Sequence, residues 1–455
     1  MAVALPAAPN AAPPARRHFR VLIVGGGTAG ITVANLLLRQ HPGLDLAILE
    51  PSTVHWYQPG WTLVGGGVMK VEQTRRQESG LIPRGASWIQ AAATGFDPER
   101  NTVSTSTGSK LTYDALVVAA GLQCRWEWID GLQEALGHDG VCSNYSMRWA
   151  PYTWETIHHF EGGTAVFTVP DTPIKCGGAP MKVMAMAHDR FLQRSGVGVN
   201  TRVILCTALR SLFSVPAYAR VLARMMRRRG IEVRFGWNLR AVRGGERVAV
   251  FDVTDEHGST SQRELVFDML HAVPPMSAPE VVATSPLAVA GPGGWVEVDA
   301  FTTQHRRFPN VFALGDVAGL PTSKTAGAVR AEAPVTAANV LSFLDHRALE
   351  ADYDGYTVCP LITGYDRVVM AEFDYTKKPV SSFLIDPTKE RWSMWMVKTK
   401  LLPWLYWNRM LPGLPHEGRY LRPLAPLARA LGLAYRETPG DEAMPAPGKD
   451  GDGCA

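Results

Sequence analysis

The ten residues VLIVGGGTAG (Val21–Gly30) constrain this chain more than any others. A β-branched apolar run passes directly into Gly25, Gly27 and Gly30, and then into the helix-forming stretch ITVANLLLRQ. G-x-G-x-x-G between a strand and a helix predicts the first turn of a dinucleotide-binding unit. In such a turn Gly25 permits the tight bend, Gly27 lets backbone approach a pyrophosphate, and Gly30 lets the helix pack closely on the strand. The free N–H groups and positive dipole end of the helix then face the phosphates. Glu50 ends the next apolar run, LAIL, at the sequence distance where an acid meets a ribose hydroxyl.

Further apolar runs, ALVVAA at 115–120, TAVFTV at 164–169 and RVILC at 202–206, alternate with helical patterns. That alternation predicts an α/β fold with parallel sheets. The pattern restarts near Thr164, so two Rossmann-like units are expected, one inserted in the other, followed by a C-terminal membrane-associating segment. The expected divisions are 16–140 with 288–345 for the first unit, 141–287 for the second and 346–435 for the last segment. The tails, 1–15 and 436–455, are rich in Ala and Pro or in Pro, Gly and Asp, and are expected to be disordered.

Bulk properties exclude whole classes of function. A chain of 455 residues, 46% of them apolar, can bury a large core, so it is neither disordered nor fibrous. A net charge of +4 makes no case for nucleic acid. No apolar run reaches the ~18 residues of a spanning helix. The six cysteines contain no CxxC pair, which argues against a disulfide scaffold or a zinc module, and no metal is expected.

PNVFALGDVAGLP (Pro309–Pro321) resembles the strand-Gly-Asp element of the two-dinucleotide flavoproteins. In those proteins the element returns to the first unit and its Asp binds the ribityl chain of FAD; here Gly315 and Asp316 take that place. VVAAGL (Val117–Leu122) resembles their Ala-Thr-Gly turn, with Ala120 replacing the Thr. FAD is therefore the expected cofactor. The second unit lacks a matching glycine loop. After TAVFTV comes PDTPIKCGGAP, where Pro170 and Pro173 restrict the backbone and Cys176 precedes Gly177 and Gly178. The nucleotide site has been replaced by a cysteine site, so the reducing equivalents are expected from a substrate that reacts with sulfur.

From Phe19 to Leu424 the chain resembles the sulfide:quinone oxidoreductases, in particular the mitochondrial-like group. The motifs are WYQPGWTLVGGG (Trp56–Gly67), TPIKCGGAPMK (Thr172–Lys182), HAVPPMSAP (His271–Pro279), LPTSKTAGAV (Leu320–Val329) and YDGYTVCPLITGYDRVVMAEFDY (Tyr353–Tyr375). The resemblance implies a redox pair of Cys176 and Cys359. It implies FAD contacts at Thr28, Ala29, Glu50, Gln58, Ala93, Asp316, Lys324, Thr325 and Ala326, with Lys324 near the flavin ring. Hydrosulfide would open a Cys176–Cys359 bridge, or one carrying an extra sulfur, to a persulfide and a thiolate. The thiolate, assigned to Cys359, would pass two electrons through FAD to a membrane quinone. The sulfane sulfur would leave on a small acceptor: glutathione, sulfite or sulfide. Cys124 lies outside the required pattern, and Cys142, Cys206 and Cys454 match no catalytic position. Lys175, Lys182 and a helix start near Pro180 favour the thiolate of Cys176.

KERWSMWMVKTKLLPWLYWNRMLPG (Lys389–Gly413) holds four of the 13 tryptophans, Trp392, Trp395, Trp404 and Trp407. Trp392, Trp395, Thr399 and Leu402 recur at helical spacing up to Pro403, and Lys389, Arg391, Lys398, Lys400 and Arg409 flank them. Such a segment is expected to lie on a lipid bilayer surface as an interfacial helix pair. RYLRPLAPLARALGL (Arg419–Leu433) extends the same surface. ARMMRRRG at 223–230 is expected to be a solvated helix face. The location implied is peripheral, on the cytoplasmic face of a bacterial membrane or the matrix face of the mitochondrial inner membrane. Two other readings compete: an NADH:quinone oxidoreductase of the same superfamily, disfavoured by the missing second glycine loop, and a sulfide-binding flavoprotein that does not turn over.

Overall fold

The computed structural model describes residues 17–194, 196–382 and 385–415. The expected disordered tails, the stretch Arg419–Leu433 and Cys454 lie outside the described residues.

Two parallel sheets organise the fold. In the first, strands Ala86–Ile89, Leu46–Leu49, His18–Val24, Lys110–Val118 and Val311–Ala313 lie side by side in that order. The last of these pairs with Lys110–Val118 only after the chain has built the second sheet. A Rossmann-like unit is thus inserted in another. An antiparallel hairpin, Ala93–Asp97 and Thr102–Thr105, joins the other end of Lys110–Val118. The second sheet has the order Val141–Cys142, Met269–His271, Gly163–Val169, Thr201–Thr207 and Glu232–Phe235, all parallel. The inner strands are buried on both faces, hence their unbroken Val, Ile and Leu rather than an alternating pattern.

Helices Thr28–Gln40 and Ala326–Leu344 cover one face of the first sheet with a shared apolar cluster. Helix Ala179–Leu192 packs between the second sheet and an antiparallel hairpin, Thr357–Gly364 with Arg367–Phe373. Sandwiched this way, every residue from Ala179 to His188 is buried, which a one-sided amphipathic helix would not permit. Helix Pro216–Arg228 is amphipathic: Met225 and Met226 are buried while Arg224, Arg227 and Arg228 are exposed.

The C-terminal run departs from expectation in two ways. It is one continuous helical run, Trp392–Met410, rather than a pair broken at Pro403, because π-helical turns at Val397–Leu401 and Tyr406–Met410 flank a short α turn, Leu402–Leu405. A widened turn absorbs the hydrogen bond that proline cannot make. Its outer face also differs. Trp395, Lys398 and Thr399 are buried, and Trp407 packs on His55, Tyr57 and the Arg76 guanidinium. The exposed stripe is Trp392, Met396, Leu401 and Trp404, with Trp392 62% and Trp404 51% exposed. No helix among the described residues is long and apolar enough to cross a membrane.

A Cβ at Gly30 would lie 1.9 Å from the Gly25 carbonyl oxygen. Gly30→Ala must therefore push the first helix off its strand, and it is expected to cost about 1–3 kcal/mol in thermal or denaturant unfolding. Unchanged stability would show that this helix does not sit so close.

Candidate active site

Both cysteines are carried to one point by different elements. Cys176 ends the loop after strand Gly163–Val169, three residues before helix Ala179–Leu192, and Cys359 lies within strand Thr357–Gly364. Their sulfurs are 3.4 Å apart. Gly178 makes the approach possible, because a Cβ there would stand 2.9 Å from the Cys359 sulfur and 2.4 Å from Leu361. Cys176 itself adopts φ +54°, a left-handed conformation uncommon outside glycine. Its N–H donates to the Lys324 carbonyl at 2.8 Å, and its own carbonyl accepts from Ala179 N–H at 2.8 Å. Thr325 then ties in the second cysteine: its hydroxyl bonds Thr357 at 2.8 Å while capping helix Ala326–Leu344 through Ala328 N–H at 3.0 Å.

The two sulfurs differ in environment. Lys182 Nζ donates to Cys176 Sγ at 3.0 Å. The Cys359 thiol donating to Cys176, together with the Lys182 charge, holds Cys176 well below the ordinary thiol range despite burial. The same contact with Cys176, and burial, push Cys359 up. Cys176 is therefore the thiolate and Cys359 the thiol, which agrees with the expectation drawn from Lys182 and the nearby helix start but not with the assignment of the electron-donating thiolate to Cys359. Position agrees with charge: Cys176 lines the main cavity, whereas Cys359 is 1% exposed behind it. Burial works against the charge of Lys182, but the two sulfurs more than offset it and raise its pKa. Lys175 turns elsewhere, to Gln58 Oε1 at 2.8 Å and the Trp61 ring.

That cavity encloses about 1480 Å³, counting its solvent-open mouth. Gly27, Thr28, Ala29, Gln58, Gly315, Asp316, Lys324, Thr325 and Ala326 all line it beside Cys176. Lys175, Lys182, Lys324, Arg330 and Lys398 face it against the Asp316 carboxylate and the Cys176 thiolate, so the lining is cationic. A low-dielectric cleft of one sign concentrates anions. Burial lowers Lys324 and Lys398 to about 8, which leaves both mostly charged at neutral pH.

The first loop has the shape a dinucleotide needs. Gly25, at φ +109°, would put a Cβ 2.4 Å from the Ala119 carbonyl oxygen, whereas a Cβ on Gly27 would meet nothing within 4 Å. Space is thus reserved over Gly27 at the helix start. Glu50 does not itself line the cavity; its carboxylate accepts from Ser52 N–H and from the N–H of Gly26, next to Gly27, each at 2.7 Å. At the other end, Gly315 N–H donates to buried Glu332 at 2.7 Å, and Lys324 Nζ donates to the carbonyls of Asp316 and Ala318. Burial pushes Glu332 up to about 7.

Some residues stand elsewhere than expected. Ala93 does not line the cavity, and Cys124 is a partly buried residue whose thiol is pushed up by burial. Lys398 is not a flank of the exposed stripe; it is 3% exposed, donates to the Pro59 carbonyl at 3.0 Å and faces the cavity. Tyr406 and Glu332 carry no motif signal in the sequence. Tyr406 OH bonds both Thr28 at 2.7 Å and His55 at 2.6 Å, so the C-terminal run closes directly over the glycine loop.

Residues 19–146 match the family model described as pyridine nucleotide-disulphide oxidoreductase. The chain is 41% identical over 410 residues to the mitochondrial sulfide:quinone oxidoreductase of Mus musculus, covering 90% of each chain. It is 40% identical to the Dictyostelium discoideum protein of the same name, covering 87% of this chain and 86% of that one. Among solved structures, the sulfide:quinone oxidoreductase of Aquifex aeolicus superposes with a TM-score of 0.72 at 20% identity, covering 88% of this chain and 92% of that chain.

The charge assignment has a direct check. In the reduced protein, alkylation mapped by mass spectrometry should mark Cys176, and the reaction should persist well below the ordinary thiol range near pH ~8.5. Because a lowered pKa moves the thiolate profile to lower pH, Lys182→Gln should move it back up by about one unit or more. A wild-type profile centred at the ordinary value, or modification of Cys359 first, would contradict the assignment.

Proposed function

The chain belongs to the sulfide:quinone oxidoreductase family, and from that premise we propose how its residues divide the work. The activity is oxidation of sulfide coupled to reduction of a quinone. The observation that carries our reading of the site is the contact of Cys176 and Cys359 at 3.4 Å beneath Lys182.

Hydrosulfide is drawn in by the cationic cleft. It adds to one sulfur of the oxidised bridge; the S–S bond breaks, leaving a persulfide on one cysteine and a thiolate on the other. Thiolates of lower pKa leave faster. Cys176, stabilised by Lys182, is the better leaving group, so the persulfide is assigned to Cys359. A small nucleophile (glutathione, sulfite or a second sulfide) then takes the sulfane sulfur and leaves a reduced pair. Bound FAD would supply a two-electron acceptor for this reduced pair and a donor for the quinone. The reserved space over Gly27, the Glu50 carboxylate and the Gly315–Asp316 turn fit that cofactor; Thr28 and Ala29 line its phosphate end. Lys324 and Lys398 supply positive charge where negative charge accumulates.

The quinone enters from lipid. Leu402, Leu405 and Met410 line the cavity, while Trp392, Met396, Leu401 and Trp404 of the same helical run face outward. This arrangement supports a monotopic attachment whose inner face opens on the site, on the matrix face of a mitochondrial inner membrane or the cytoplasmic face of a bacterial one.

Three variants test these roles. A Cβ at Gly27 meets no protein atom within 4 Å, so Gly27→Val should yield a folded but colourless protein; a fully yellow one would misplace the phosphate end. Cys176→Ser should cut sulfide oxidation by orders of magnitude with FAD retained, and normal turnover would remove the pair from the mechanism. Each buried Å² of apolar surface is worth ~25 cal/mol. Replacing Trp392 and Trp404 together by Ser should therefore release the protein from liposomes and weaken use of long-tailed quinone, but spare a short soluble one. Continued sedimentation with lipid would assign the stripe to a protein contact.

A further inference from the structure

The cysteine pair lies where two packed segments meet, and the same segments meet again about one helix-length away. Helix Ala179–Leu192 begins beside Cys176, and Asp189 lies ten residues along it from Ala179, a rise of ~15 Å. Strand Thr357–Gly364 carries Cys359, and Gly364 lies five residues beyond it, a span of ~16 Å. The two segments run side by side in the same direction and have matched lengths. At one end the sulfurs meet at 3.4 Å. At the other, ion pairs and hydrogen bonds centred on Asp189 join them, with Arg229, from the end of helix Pro216–Arg228, as the bridge. Asp189 Oδ1 accepts from Arg229 Nη1 at 2.5 Å, and Arg229 Nη2 donates to the Thr363 carbonyl at 2.5 Å. Asp189 Oδ2 accepts from Tyr365 N–H at 2.7 Å and, more weakly, from Arg367 at 3.4 Å. The side chains of Arg229 and Asp189 are only 7% and 12% exposed.

Gly364 shows how tightly this end is fitted. A Cβ there would stand 2.4 Å from Asp189 Oδ2 and 2.5 Å from Arg229 Nη2, so only glycine lets the hairpin turn reach the pair. Two packed segments tied at one end carry any slip there along their length to the opposite tips. Here the tips are the sulfurs, which must approach to a bond length of ~2.05 Å and separate again in each cycle.

We propose that Asp189 and Arg229 are positioning residues for the sulfide half-reaction, setting the distance and register of Cys176 against Cys359 from the opposite end of the helix. This rests on the cysteine reading above. A reacting geometry lost by ~1 Å costs on the order of a hundredfold in rate.

The test is anaerobic stopped-flow on the FAD-loaded Asp189→Asn and Gly364→Ala variants. Flavin reduction by sulfide should slow about tenfold to a hundredfold, and alkylation of the oxidised protein should find more free Cys176 than in wild type. Reoxidation of dithionite-reduced protein by a soluble quinone should be unchanged, which a general loss of structure would not spare. Sulfide reduction and bridge content equal to wild type would overturn the proposal. Hydrogen exchange on the unmodified chain covers a variant that does not fold. The Tyr365 N–H should stay protected while bridge reduction loosens the strand around Cys359; loss of protection at Tyr365 in step with that strand would also overturn it. A Cys176→Ser chain still reduced by sulfide at the normal rate would instead sink the cysteine reading itself.

Discussion

Everything in this fold converges on one contact between two sulfur atoms that the chain separates by 183 residues. Holding them requires that the loop after one strand of the second sheet, a hairpin strand beyond the first unit and the returning Lys324–Thr325 stretch be built together. The Cys176 N–H on the Lys324 carbonyl and the Thr325–Thr357 hydroxyl pair make that stretch the joint between the two cysteine elements. The unusual backbone at Cys176 belongs to this joint: a strained residue persists only when its surroundings determine it from several sides.

The same contact explains an otherwise costly arrangement of charge. Lys182 and Lys398 are each 3% exposed, and a buried ammonium without a partner is strongly disfavoured. Lys182 is stabilised by the sulfur it activates, so the pair shares one desolvation cost and yields a thiolate in return. Lys398 has the Pro59 carbonyl as its hydrogen-bond acceptor and feels the Lys182 charge, and burial brings it down to about 8. A cleft charged in this way suits an anionic substrate and an anionic product of two-electron transfer.

The glycine loop, the alternating strands and the cysteine motifs were legible because each requirement is local: a turn that only glycine fits, a strand buried on both faces, a cysteine within a long motif. What escaped was whatever depends on how distant segments face each other. Lys398 and Lys400 read alike in sequence, yet one points into the cavity and the other to solvent. Trp404 and Trp407 are three residues apart on one helical run, but π turns rotate one outward and one against His55 and Tyr57. Which of the lysines near Cys176 activates it was equally hidden. Two lysines flank Cys176 in sequence, but only Lys182, one helical turn inside, reaches its sulfur.

Sulfide, rather than a nicotinamide nucleotide, is the electron source for a chain of this family, and Cys176 shares its cavity with the dinucleotide loop. The most direct measurement is the anaerobic flavin spectrum during successive addition of NADH, sulfide and a quinone. NADH should leave the absorbance intact, sulfide should bleach it, and the quinone should restore it. A flavin bleached by NADH, or untouched by sulfide while both cysteines are intact, would contradict the account.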